Sequence, residues 1–103
     1  MLISKTQYNT GDIVSFKLTN GDECVARIIT ADAAGWTVSK PCTVVPGQRG
    51  LGLVQSLFTG ELDAKVSLSV NHVLMHSPTI KEMCSHYIKT TTGIETVPSG
   101  LVV

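Results

Sequence analysis

Residues 12–31 of the chain read DIVSFKLTNGDECVARIITA, and this stretch decides the fold. Its first half alternates apolar Val14, Phe16 and Leu18 with polar side chains, and a period of two residues is typical of a β-strand with one buried face. Asn20-Gly21 follows directly, and both residues tolerate the positive φ angles of a tight hairpin turn. The stretch therefore predicts two antiparallel strands joined by this turn.

Short β-prone segments continue along the chain to about residue 77. They lie at 36–39, 42–45, 51–58, 66–70 and 72–76, separated by turn residues. Pro41 is expected only at the end or edge of a strand, because proline has no N–H to donate. These segments predict a small barrel over about 11–77, since closing a sheet removes its exposed edges.

The period of the apolar residues changes after the last of these segments. One helical stripe contains Ile80, Met83, Cys84, Tyr87 and Ile88. Gly93 is a residue type that commonly ends a helix. We therefore expect one domain that consists of the barrel, a helix over about 78–91 and a tail over 92–103.

The composition indicates a folded protein without a strong electrostatic preference. Of 103 residues, 43% are hydrophobic and 16% charged, and eight basic residues balance eight acidic ones. Net charge therefore gives no support for electrostatic capture of nucleic acid or a membrane. The three cysteines include no CxxC pair, which fits a reducing compartment. We expect no signal peptide, no membrane helix and a cytoplasmic location, which means the host cytoplasm if the chain is phage-encoded.

Residues 14–38 resemble the first sequence motif of the Sm and LSm proteins. The matching residues are Val14, Phe16, Leu18, Asn20, Gly21, Ala26, Ile28 and Asp32. Ala26 stands where the family usually has glycine. The second family motif is poorly kept, because 69–72 lies in the expected place but lacks the signature residues. With its helix after the strands, the layout resembles divergent bacteriophage-type members of the Sm, LSm and Hfq superfamily.

This resemblance implies a mainly β fold, a small and strongly bent five-stranded Sm-like (SH3-type) barrel with one C-terminal helix. It also implies a cyclic homo-oligomer of roughly five to seven subunits, in which the fourth strand of one subunit pairs with the fifth of the next. Those strands are 51–58 or 66–70, and 72–76. From pattern alone, the same strands fit equally well inside one barrel.

The resemblance further implies that single-stranded RNA binds near the pore of the ring. The residues it places there are Asp32, Gly35, Trp36, Asn71, His72 and Lys40. Gly35 falls at the family's base-stacking position and Trp36 at the position of its base-reading asparagine. A base stacked on an aromatic ring gains about 1–3 kcal/mol. The alternative function is a structural or adaptor ring, phage-related and without a nucleic-acid role.

Each of these residues also has a purely structural interpretation. Trp36 can pack inside the barrel or against a neighbour. Asp32 can accept backbone N–H bonds in its turn, and Asn71 with His72 can form a polar turn. Lys40 can be a solubilising charge.

Neither a metal site nor a catalytic site is expected. His72 and His76 lie four residues apart on a predicted strand, which separates them by about 13 Å. No glycine-flanked nucleophilic serine or phosphate-binding loop is present in the sequence. The sequence therefore predicts a non-enzymatic protein without a cofactor, whose partners are its own copies and, in the leading hypothesis, single-stranded RNA.

Overall fold

The computed structural model describes residues 8–48, 50–57, 59–61 and 64–96. In chain order the elements are β1 (Ile13–Leu18), β2 (Glu23–Asp32), β3 (Gly35–Gly47), β4 (Gly50–Gln55), β5 (Lys65–Ser69), a 3₁₀ turn (Val70–His72), β6 (Val73–Pro78) and α1 (Lys81–Thr96). This part of the chain is therefore mainly β with one C-terminal helix, as the sequence predicts.

All strand pairs are antiparallel, and the sheet order is β4-β3-β2-β1-β6 with β5 also paired to β3. The prediction of a closed five-stranded barrel is wrong, because the described residues form six strands in an open sheet. The first half of β3 pairs with β5 and its second half with β4. No ladder joins β5 to β6 in the described residues, where β4, β5 and β6 each have one partner strand and one unpaired edge.

The sheet nevertheless curves around one core. Val14, Phe16, Ala26, Ile28 and Val38 are almost completely buried in a single cluster. Val66 and Leu68 of β5 and Val73 of β6 pack against this cluster. Because β5 and β6 contribute to the same core without pairing with each other, the sheet must bend strongly between them.

The predicted hairpin of β1 and β2, with its turn at Asn20-Gly21, is confirmed. Phe16 pairs with Cys24 and Lys17 with Glu23. Gly21 has a φ of 95° at the turn, and the side-chain oxygen of Asn20 accepts a hydrogen bond from the N–H of Asp22 over 3.0 Å. Gly21 thus has the positive φ expected at the turn, whereas Asn20 does not and stabilises the turn through its side chain instead.

A bulge bends β3 in its middle. Pro41 lies in this bulge, inside the strand and not at a strand end or edge as the sequence predicts. Val25 pairs with Cys42 but Arg27 pairs with Ser39, so the register shifts across Lys40 and Pro41. Lys40 has a φ of 51°. Proline is tolerated inside this strand because a bulge interrupts the ladder of N–H donors.

Helix α1 covers the other face of the sheet at this bulge. Tyr87 is completely buried with Val25 and Cys42, and Met83 packs against them. The predicted stripe is only partly buried, because Ile80 is 68% exposed and Ile88 is also exposed. The helix begins at Lys81 and passes through Gly93 to Thr96, so its predicted range of 78–91 is displaced. Of the predicted tail, residues 97–103 lie outside the described residues.

Candidate functional site

Five of the six residues predicted at the pore fall on two neighbouring segments, the turn after β2 and the 3₁₀ turn after β5. Gly35 pairs with Ser69. The N–H of Val70 donates to the carbonyl oxygen of Ala34 over 2.8 Å. Two segments that are more than 30 residues apart in sequence therefore form one continuous surface, which we call the paired-turn surface (residues 32–36 and 69–72).

Asp32 stabilises the first of these turns. Its Oδ1 accepts hydrogen bonds from the N–H groups of Ala34, over 2.8 Å, and Gly35, over 3.2 Å. This is the geometry of a turn in which an aspartate side chain replaces a backbone acceptor. The structural interpretation of Asp32 therefore accounts for its contacts.

Gly35 is buried against the second turn and has a φ of 150°. A Cβ atom at this position would overlap the carbonyl oxygen of Leu68 and would lie 2.9 Å from the nitrogen of Val70. The backbones of β3 and β5 can approach this closely only because Gly35 has no side chain. No side chain of Gly35 is therefore present to stack on a base.

Trp36 packs into the core cluster, where its ring contacts two others edge to face. The ring centroids lie 5.0 Å from that of Phe16 and 4.9 Å from that of His76. Edge-to-face pairs of this kind add about 0.5–1.5 kcal/mol to the gain from burial. The indole is half-buried, and this aromatic packing accounts for it without a bound base.

His76 and Tyr8 complete this aromatic cluster, and sequence reasoning missed both. The hydroxyl of Tyr8 and Nδ1 of His76 share a hydrogen bond of 2.6 Å, and burial raises the pKa of Tyr8. The cluster links the residues before β1 to β6. An alternating pattern identifies the buried face of a strand, but it does not show which distant ring lies against it.

Asn71 and His72 are exposed on the 3₁₀ turn. The N–H of Asn71 donates to Oγ of Ser69 over 3.2 Å, and the carbonyl oxygen of His72 accepts from the N–H of Thr19 over 2.9 Å. The backbone of this turn is thus fixed while both side chains face solvent. These are the two predicted residues best placed to contact a ligand.

Lys40 does not belong to the paired-turn surface. It lies five residues after Gly35 along β3, a separation of roughly 16 Å for extended backbone. Its carbonyl oxygen accepts a hydrogen bond from the hydroxyl of Tyr87 over 2.8 Å. The structure thus places Lys40 at the bulge under α1 rather than beside Asn71 and His72.

The unpaired edges of β5 and β6 are a second surface of interest. Within the described residues, β5 pairs only with β3 and β6 pairs only with β1. Leu74 and Met75 of β6 are 62% and 65% exposed. A groove of about 310 Å³ lies along the β1–β6 pair, with Lys17, Glu23 and Met75 in its lining. Exposed strand edges with apolar side chains are typical sites of pairing with another chain.

Comparison with known proteins finds no matching family model and no matching curated protein. In the described ranges, histidines, cysteines and acidic residues form no group of three that could hold a metal ion. The helices of this same part of the chain include none with the length and apolar character needed to cross a membrane.

Proposed function

We propose that this chain is a non-catalytic, Sm-like assembly subunit that forms a closed ring by pairing β5 of one copy with β6 of the next. In this proposal the ring has a structural or adaptor role. The observation that carries it is the pair of unpartnered edges on β5 and β6, two strands of one curved sheet that pack against the same core. A strand edge satisfies its backbone groups when it pairs with the complementary edge of a neighbour.

A repeated contact between two different edges is heterologous, and such contacts close into rings when the rotation between subunits permits. The opposed edges support this arrangement, because each copy has one of each. Leu74 and Met75 would be buried at the contact, which gives their exposure in the single chain a physical reason.

Light scattering on a β6 variant tests this proposal. In Leu74→Lys/Met75→Gln both replaced side chains are more than half exposed, so the fold should survive while the contact weakens. Ile80→Lys is the matched control, since Ile80 is equally exposed but lies outside β6. We expect a large fall in particle mass for the β6 variant alone. An unchanged mass in that variant, with its circular dichroism also unchanged, would reject the pairing.

Single-stranded RNA binding is the second candidate function, and the paired-turn surface favours it. Asn71 and His72 are exposed beside the turn fixed by Asp32, so a ring would repeat this surface once per subunit. Trp36 is a weaker candidate because its ring already packs against Phe16 and His76.

Fluorescence anisotropy with labelled oligo-U and oligo-A, measured across a salt series, tests this second function. Binding by RNA contacts should weaken with salt and should fall at least about tenfold in Asn71→Ala/His72→Ala. Because Lys40 lies away from the paired-turn surface, the Lys40→Ala variant should bind RNA like the wild type. A ring that binds neither oligonucleotide at low salt would reject RNA binding and retain the structural or adaptor role.

A further inference from the structure

A two-stranded arm extends beyond the rest of the sheet. The ladder between β2 and β3 ends at the pair Cys24–Thr43. Beyond it, residues 44–47 of β3 pair only with residues 50–53 of β4, within the part of the chain that the structure describes. Val44 and Leu53 at the base of this arm pack against the cluster of Tyr87, so only residues 45–47 and 50–52 extend past it. An isolated two-stranded ribbon is at best marginally stable in water, so this outer part gains from a further strand.

The sequence of β4 lacks charge and proline, two features that usually prevent edge strands from pairing. Its sequence, GLGLVQ, contains no charged residue and no proline. Leu51 is 58% exposed and Val54 is 39% exposed. Proteins normally protect an edge strand with lysine, proline, a bulge or a cover, and β4 has neither charge nor proline along its length.

We infer that β4 of one copy pairs antiparallel with β4 of a second copy about a two-fold axis. The pairing would join two arms into a four-stranded sheet and would cover Leu51 and Val54. A two-fold contact brings the same patch of both copies together. A charged strand would therefore repel itself, whereas β4 meets its own copy without like charges opposite one another. Electrical neutrality thus favours a second copy over a partner recognised by charge.

This contact uses a different edge from the ring contacts proposed above, because β4 pairs with the second half of β3 and β5 with the first half. If the proposed ring forms with the arms of all subunits on one face, arm pairing joins two rings face to face and the particle contains an even number of subunits. This doubling rests on the proposed function, but the pairing of two arms does not. A chain that formed no ring would still form a dimer through β4.

Light scattering on three variants and the wild type separates these contacts. The arm variant is Leu51→Lys/Val54→Lys, the edge variant is Leu74→Lys/Met75→Gln, and Ile80→Lys is the control. We expect the arm variant to have half the mass of the wild type and the edge variant to be a dimer, twice the 11.0 kDa of one chain. Combining both sets of substitutions should give a monomer, and the control should match the wild type.

Two outcomes would overturn the arm contact. One is an arm variant that keeps the full mass of the wild type. In that case β4 does not pair with its own copy, and a strand from a different protein would be the remaining partner for its edge. The other is an edge variant that is monomeric. An edge variant with unchanged mass, together with an arm variant of half mass, would instead reject the ring contact and retain the arm contact. Circular dichroism and a cooperative unfolding transition in each variant confirm that the subunit is folded.

Discussion

The hydroxyl of Tyr87 on α1 donates to the carbonyl oxygen of Lys40 in β3 over 2.8 Å, and it also lies 3.1 Å from the carbonyl oxygen of Ser39. Both acceptors belong to the bulge where β3 bends. The helix is therefore attached to the point that sets the direction of the second half of β3, and with it the direction of the arm. Burial raises the pKa of Tyr87 well above its usual value, so the hydroxyl remains a donor throughout the physiological range.

Replacing Tyr87 with phenylalanine should destabilise the protein by about 1–3 kcal/mol, because it removes a buried donor while the ring keeps its packing. Urea denaturation measures the change. Tyr8→Phe is the matched control, since it removes a hydroxyl that shares a hydrogen bond with the half-buried His76, and about 0.5–1.5 kcal/mol is expected. If Tyr87→Phe cost no more than the control, the hydroxyl would not be what fixes the bulge.

Replacing Gly35 with alanine should cost roughly 3–5 kcal/mol, from the overlap with the Leu68 carbonyl and from its positive φ. The variant also tests whether the paired-turn surface depends on the close approach of β3 and β5. Gly52→Ala is the control, because its nearest neighbour, Cγ2 of Val45, lies at an ordinary 3.7 Å. Thermal unfolding should show a loss for Gly35→Ala and a change within about 1 kcal/mol for Gly52→Ala. Equal stability of the two variants would contradict the close approach.

Alkylation should distinguish the three cysteines in the folded protein. Burial raises the pKa of the Cys42 thiol to about 11 and also raises that of Cys24. At pH 8 about one Cys42 in a thousand is then a thiolate, the reactive form. Cys84 is half-buried, with its thiol directed to the carbonyl oxygen of Thr79. Iodoacetamide should therefore add once, at Cys84, and three times after denaturation; rapid modification of Cys42 in the folded state would contradict its burial.

Local patterns predicted the elements of this fold better than their pairing. Alternation at Val14, Phe16 and Leu18 and the turn at Asn20-Gly21 depend on nearby residues, so the first hairpin could be predicted from them. Closure of the sheet could not, because alternation shows which face of a strand is buried but not which strand lies beside it. The pairing of both β4 and β5 with β3 is a long-range choice of this kind.

The bulge and the site show the same limit. Pro41 was expected at a strand end or edge because the sequence does not show that Tyr87, 46 residues later, stabilises the bulge. Asp32 was correctly given a turn role, since its hydrogen bonds are local. The contacts of Trp36 with Phe16 and His76 depend on tertiary structure, so the sequence left its packing and binding roles open.

The native mass of the purified wild-type protein tests the central claim of edge-paired assembly most directly. Native mass spectrometry at micromolar concentration should give one closed assembly, a whole multiple of 11.0 kDa, that does not grow as concentration rises. A ring of roughly five to seven subunits, or twice that number with arms paired, is the expected result. A monomer of 11.0 kDa across the same range would contradict both the ring and the pairing of its edges.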